Sequence, residues 1–212
     1  MNSMKQLQGI DVSEWQGRID FSRVRNAGIR IVYIKATQGT DYVDPYFEQN
    51  YRDADKEGLA IGFYHYATAR TVSEAEEQAR YFASYIRGKH QRVRPAMDFE
   101  TFGKLTRPEI REIALCFLTA LESETFHVPA IYSDSYNAST NFADDRLRRY
   151  PLWIAEYEVA RPDMENPWPN WSGWQYTDQG TVDGINGEVD RDLFRHTILL
   201  DTPDTEDGTK HC

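Results

Sequence analysis

Arg94-Pro95-Ala96-Met97-Asp98-Phe99-Glu100 reads as a short buried strand that runs out into two carboxylates. Side chains alternate faces along a strand, so Asp98 and Glu100 project one way and Met97 and Phe99 the other. Two residues of strand rise put the two acid Cα atoms about 6.6 Å apart. Carboxylates held that close repel, and a fold gains from the pairing when one is protonated and the other ionised. Glycoside hydrolysis uses such a split pair. Taken alone, Asp-x-Glu fits equally well two solvated acids leading into a loop, so the weight falls on what flanks it.

Three strand–helix units precede this stretch. Residues 8–13 form a strand that ends at an acid, Asp11, followed by the loop Glu14-Trp15-Gln16-Gly17. Asp20 then N-caps a helix carrying Phe21, Val24 and Ala27, and Gly28 stops it. Residues 29–36 are a hydrophobic strand, after which Asp44-Pro45 opens a helix that ends at Gly58. Residues 59–66 are a third strand, and Ser73-x-x-Glu76 has the form of a capping box for a helix through Ala75, Ala79, Phe82 and Ile86. Downstream, Thr106-x-x-Glu109 with Pro108 opens a strong helix through Ile110, Phe117 and Leu121. Residues 127–133 read as a fifth strand and 141–150 as a weaker, charged helix. Beyond that the helical period ceases. Residues 152–157, 173–177 and 188–194 read as strands, the first two joined by a Pro- and Trp-rich loop over 161–171.

Five strand–helix units followed by three bare strands imply a largely parallel sheet, and eight strands suggest closure into an α/β barrel. A doubly wound open sheet is the alternative, but no glycine-rich phosphate loop supports it. In a barrel the active site lies at the carboxy ends of the strands. Asp11, Asp98, Glu100 and Asp190 are expected there, with Tyr64, Tyr66, Trp153 and Trp174 around them. Tyr132 and Gln38, at the ends of two further strands, complete the substrate-binding candidates. For the acids the plain alternative is pairing with Lys35 or Arg191, and for the aromatics it is core packing.

The 212 residues carry a net charge of −10, five Trp and thirteen Tyr, the composition of a globular protein with aromatic-lined surfaces. No basic stripe favours nucleic acid, and no apolar run is long enough to span a membrane. Residues 1–8 lack the apolar core of a secretory signal. Cys116 sits in a helical pattern and Cys212 at the end of the sequence, so no structural disulfide is expected. His65 has no second His at ligand spacing and reads as a core histidine; neither a metal nor another cofactor is expected. Residues 201–212 are polar and acidic and are expected to be disordered, leaving 1–200 as one domain.

Gly9-Ile10-Asp11-Val12-Ser13 with Trp15-Gln16-Gly17, Tyr33-Ile34-Lys35-Ala36-Thr37, Gly62-Phe63-Tyr64-His65-Tyr66, Asp98-Phe99-Glu100, Leu152-Trp153-Ile154-Ala155 and Trp174-Gln175-Tyr176, in this order, resemble the lysozymes (muramidases) of glycoside hydrolase family 25. The resemblance implies an irregular TIM-like (β/α)5(β)3 barrel and hydrolysis of the β-1,4 bond between N-acetylmuramic acid and N-acetylglucosamine in bacterial peptidoglycan. By it, Glu100 matches the general acid, Asp98 its partner, and Asp11 and Asp190 the flanking acids. On this view Asp98, Asp11 and Asp190 raise the pKa of Glu100. A monomer is expected, made in the cytoplasm, since residues 1–8 carry no secretory signal, and acting on the cell wall after release. Where family members commonly carry Glu after Lys-Ala-Thr, this chain has Gln38, so a charged role there does not carry over. A chitinase-type barrel, a catalytically silent sugar-binding module and a metal-dependent phosphohydrolase stay open as rivals. The first lacks its longer Asp-Gly-x-Asp-x-Asp-x-Glu run here, the second would have lost the acids, and the third would fail in chelator.

Overall fold

The computed structural model describes residues 6–200. Its strands are β1 (Leu7–Val12), β2 (Ile31–Gln38), β3 (Tyr42–Val43), β4 (Ala60–Tyr66), β5 (Ala96–Asp98), β6 (Ala130–Asp134), β7 (Leu152–Ala155), β8 (Gly173–Gly180) and β9 (Val189–Phe194). They run in the order β1-β9-β8-β7-β6-β5-β4-β2, and β1 pairs back onto β2, which closes an eight-stranded barrel; the two-residue β3 hangs on the end of β2. Every barrel pairing is parallel except the two made by β9, which runs antiparallel to β8 and to β1. The helices α1 (Phe21–Asn26), α2 (Phe47–Lys56), α3 (Val72–Ile86), α4 (Arg107–Thr125) and α5 (Ser135–Ser139) follow the first five barrel strands in turn. This is the irregular α/β barrel of five strand–helix units and three strands that the sequence implies.

Local chemistry sets these boundaries. Asp20 caps α1 through the Arg23 N–H at 3.1 Å, and Glu109 accepts from the Thr106 N–H at 2.7 Å to open α4. The cap of α3 lies two residues earlier than Ser73. Thr71 accepts from the Glu74 N–H at 3.2 Å, while the Glu74 carboxylate accepts from the Arg70 N–H at 2.6 Å. The helix expected over 141–150 does not form. Instead Asp134 caps the short α5 through the Asn137 N–H at 2.8 Å, and Asp144 bonds the Arg146 N–H at 2.9 Å, offering the backbone a turn in place of helix. Only one 3-10 turn, Leu147–Arg149, occurs in that stretch. The strand bearing the acid pair is also shorter than expected. Its last pairings are Asp98 with Tyr66 and with Tyr132, so Glu100 lies beyond the strand, in the loop. Phe99 there turns into the outer core against Phe102, ring centroids 5.0 Å apart.

Two apolar layers result from the strand period of two. Outward residues such as Ile34, Phe63, Met97, Ile131 and Ile154 pack against Phe82, Phe117 and Leu118 of the helices. Inward, Ile31, Tyr33, Ala96, Ala130, Trp153 and Phe194 fill the lower barrel. Tyr33 stacks on Trp153 with centroids 4.4 Å apart, and Phe194 lies 5.6 Å and 5.8 Å from the two rings. Glycine at position 62 makes room for this plug: a Cβ there would stand 2.6 Å from the Tyr33 ring. The plug closes the barrel below, leaving the polar inward side chains at the upper mouth.

Candidate active site

The same parity that builds the plug aims the next inward residue of each strand into the mouth. Asp11 of β1, Lys35 of β2, Tyr64 and Tyr66 of β4, Asp98 of β5, Tyr132 and Asp134 of β6, Gln175 of β8, and Asp190 and Asp192 of β9 all fall in this register. The expectation that Asp190 sits at a carboxy end needs correcting. Because β9 runs antiparallel, Asp190 reaches the mouth from near the amino end of its strand, directly opposite Asp11 in the ladder.

Asp11 is buried, and its Oδ2 accepts from the Gln175 Nε2–H at 2.8 Å. The Gln175 carbonyl in turn accepts from the Tyr132 hydroxyl at 2.9 Å and the Tyr157 hydroxyl at 2.6 Å. One amide thus joins two phenols to one carboxylate and fixes its orientation. Deeper down, Asp192 is fully buried; its Oδ1 accepts from the Trp153 indole N–H at 2.8 Å, and its Oδ2 has no partner among the described residues. Asp98 is buried as well, and its Oδ1 lacks a partner among the described residues. Glu100, by contrast, lies on the loop past the strand, open to solvent along part of its length while its carboxyl is partly enclosed by the mouth. Lys35 donates to Gln38 Oε1 at 3.0 Å and lies 5.2 Å from the centre of the Tyr66 ring. Tyr66 and Thr101 share a hydroxyl bond of 2.6 Å.

This crowding of acids dominates the electrostatics. Burial pushes the Asp11 carboxyl well above its ordinary range, and the charges of Asp190 and Asp192 push it further, against the Gln175 bond. Burial and then the Glu100 charge raise Asp98, with Lys35 pulling the other way. Glu100 is raised by burial and then by Asp134 and Asp190. Neither Asp11 nor Asp98 is among those causes; of the three acids expected to raise Glu100 only Asp190 does so, joined by Asp134 at the end of β6. Burial raises Asp190 to about 6. Among the described residues no ion pair involves Asp11, Asp98, Glu100 or Asp190, so neither Lys35 nor Arg191 neutralises the cluster by direct contact. Such a site keeps its protons to higher pH than free carboxyls do and can offer one to a leaving group.

The aromatic candidates divide. Tyr64, Tyr66 and Tyr132 are half-buried and inward-facing at the mouth, as is Gln38 through Lys35. Trp153 belongs to the plug, 2% exposed, with its N–H committed to Asp192. Trp174 points out of the barrel, donates to the Glu156 carbonyl at 2.8 Å and packs on Trp171 with centroids 6.3 Å apart. His65 is buried on the outer face, bonded to Thr37 at 2.8 Å and stacked on Phe117; burial lowers its pKa to about 3. Sequence reasoning missed Asp134, Gln175 and Asp192. Asp134 and Asp192 share strand parity with Tyr132 and Asp190, and that signal would have found them, whereas Gln175 has the opposite parity to Trp174, the residue expected at the mouth from that strand.

The model of Glycosyl hydrolases family 25 matches residues 10–185 of the chain. The uncharacterized protein YegX of Escherichia coli (strain K12) is 41% identical over 197 residues, covering 91% of this chain and 71% of YegX. Lysozyme M1 of Streptomyces globisporus is 36% identical over 200 residues, covering 89% of this chain and 67% of the lysozyme. Among solved structures, the bacterial lysozyme from Streptomyces coelicolor superposes with a TM-score of 0.78 at 32% identity, over 91% of this chain and 93% of that one. With a family match across most of its length, and acids gathered at the mouth of a barrel shared with a lysozyme, the chain belongs to glycosyl hydrolase family 25.

Proposed function

We propose that this glycoside hydrolase is a 1,4-β-N-acetylmuramidase that cuts the β-1,4 bond between N-acetylmuramic acid and N-acetylglucosamine in bacterial peptidoglycan, at the cell wall. The lysozyme relatives support the substrate class. The observation that carries the chemistry is the contrast within one motif: Asp98 buried with an unpartnered oxygen, Glu100 two residues on and open to the cleft. Glu100, its pKa raised, protonates the glycosidic oxygen as the bond breaks. The free oxygen of Asp98 suits the N–H of a 2-acetamido group. The acetamido oxygen then attacks the anomeric carbon, and Asp98 stabilises the positive charge that spreads onto the amide nitrogen. Asp11 and Asp190, whose protons are shared in the cluster, place negative potential beside the oxocarbenium-like ring. Water opens the cyclic intermediate with Glu100 now acting as base, so configuration is retained overall.

Digestion of purified peptidoglycan tests this reading. Mass spectrometry is expected to find fragments ending in reducing N-acetylmuramic acid, and NMR the β anomer first. Reducing N-acetylglucosamine ends would refute the bond assignment, and an inverted first product the mechanism. Comparable rates on walls de-N-acetylated at the muramic acid would point to Asp98 as a direct nucleophile instead. Clearing of a wall suspension is expected to proceed unchanged in EDTA.

A further inference from the structure

We infer that Trp15 is a stacking platform for a neutral N-acetylhexosamine ring of the glycan chain, a subsite on the rim of the mouth beyond the cleavage point. This rests on the polysaccharide reading above and adds a binding site to it. All five Trp lie among the described residues, and four are buried, at 2% to 8% exposure, while Trp15 is 84% exposed. Phe126, at the end of α4, is as exposed as Trp15, so what singles out Trp15 is its place past the carboxy end of β1, on the side of the mouth, where burying an aromatic face against a ligand is worth about 1.5–3 kcal/mol.

The segment that carries it is not a loose loop. Trp15 sits in a single 3-10 turn, Glu14–Gln16, which starts two residues after β1 and so just above Asp11. The Ser13 N–H donates to Gln16 Oε1 at 2.9 Å, and the Trp15 N–H to Ser13 Oγ at 3.4 Å. The buried Asp44 accepts from the Glu14 N–H at 2.8 Å, and Tyr42 of β3 donates its hydroxyl to the Glu14 carboxylate. Gly17, at φ 60°, closes the turn with its N–H on the Glu14 carbonyl at 3.0 Å. A positive φ there suits glycine alone among common residues without strain. Five anchors therefore fix the backbone while the indole remains free. With the backbone fixed, only two side-chain angles of the indole remain to be ordered on binding, at small cost.

Position and charge choose the occupant. A ladder of side chains leads from the acids to this rim: Lys35, which faces Asp98, lies 5.2 Å from the Tyr66 ring and 5.6 Å from the Tyr42 ring, and Tyr42 holds Glu14. The neighbours of Trp15 are acidic, Glu14 and Asp44, on a chain of net charge −10. Anionic lipid or nucleic acid would be repelled there. The apolar face of an uncharged pyranose would not, and a glycan strand threading the mouth presents one every few ångströms.

Steady-state kinetics on soluble, uncross-linked glycan strands decide the matter, with short fragments that end before the rim as control. For W15A the expected result is a rise in KM of about tenfold on long strands, equal to about 1.4 kcal/mol, with kcat within about twofold. The KM on short fragments is expected to stay unchanged, and W15F to restore most of the loss. In the E100Q protein saturated with long strands, oxidation of Trp15 by N-bromosuccinimide, read by peptide mass spectrometry, is expected to be suppressed. A wild type that leaves the strands uncut overturns the muramidase reading and the platform with it. A wild type that cuts them, while W15A keeps its KM and Trp15 oxidises at the same rate with and without glycan, overturns the platform alone.

Discussion

Replacing Gln175 with Leu keeps roughly the same volume while removing the amide that orients Asp11. Three hydrogen bonds vanish: the 2.8 Å donor bond to Asp11 and the two bonds accepted from Tyr132 and Tyr157. Their losses are unequal. Tyr157 is exposed, so water replaces its partner at little cost, whereas Tyr132 is half-buried and Asp11 buried. Leaving a buried polar group unsatisfied costs about 1–3 kcal/mol, and more for a charged one. The two buried partners together make the expected loss about 2–5 kcal/mol, a large part of a typical domain's 5–15 kcal/mol. The loss has a pH signature. The Gln175 bond favours the charged form of Asp11, so without it a carboxyl already raised by burial moves higher still. The penalty falls on the ionised state and is relieved as pH drops below the folded-state pKa. Urea unfolding of Gln175→Leu is therefore expected to show a larger deficit at pH 8 than at pH 4.5, with the acid limb of the activity profile moved to higher pH. Deficits below about 0.5 kcal/mol at both pH values, with an unmoved profile, would refute the role of Gln175 as the positioning residue of Asp11.

Glu100→Gln is expected to lower hydrolysis by about 10²–10⁴-fold with an unchanged melting temperature; near-native activity in the folded variant removes Glu100 from the acid role. Stability of the wild type is expected to fall as pH rises from about 4 through about 6, because Asp11, Asp98, Asp190 and Asp192 hold protons in the fold that the unfolded chain has already released. The same scan on Asp190→Asn is expected to be flatter, and a parallel curve would contradict this. Gly62→Ala places a Cβ 2.6 Å from the Tyr33 ring and is expected to cost about 1–3 kcal/mol in urea unfolding. Wall lysis is expected to quicken as salt rises from about 0.01 M to about 0.15 M, where screening shortens from about 30 Å to about 8 Å; rates that fall steadily would mean attraction rather than repulsion at encounter.

The regular half of the barrel was legible because its signals are local. Asp20 caps α1 and the Thr106–Glu109 pair opens α4, Gly28 and Gly58 follow α1 and α2, and each of these signals acts within a few residues. Where two local signals compete, the sequence is ambiguous: Thr71 and Ser73 are both good caps, and the fold uses the earlier, with Glu74 bonding back to the Arg70 N–H. At 141–150 the helical pattern lost to the Asp134 and Asp144 side chains, which bond neighbouring backbone. Strand direction is not local at all. Nothing in Val189–Phe194 says that it runs antiparallel, so the route by which Asp190 enters the mouth was hidden although its presence there was not. The aromatic subsites suffered similarly. Strand parity separates Trp174 from Gln175, but only the closed barrel reveals that Trp153 lies below the mouth, within the plug.

That reversal of β9 also explains why the site keeps its protons. In a fully parallel barrel the last strand would begin at the floor, and the first inward residues of β9 would fall within the plug. Running downward instead, it sets Asp190 against Asp11 at the top and Asp192 against the Trp153 N–H one step lower. Three aspartates then share a narrow wedge, with Gln175 as a neutral anchor, while Lys35 acts on Asp98. Ionising all three would place like charges in a medium that screens them poorly, so the wedge binds protons instead. Glu100 lies within reach of that field through Asp190. Removing the charge at 190 therefore does two things. It lowers the pKa of Glu100, weakening its hold on the proton at neutral pH, and it takes negative potential away from the developing cation. Both act against turnover, which makes Asp190 costly to lose even though it touches neither the leaving oxygen nor the acetamido group in the mechanism proposed here.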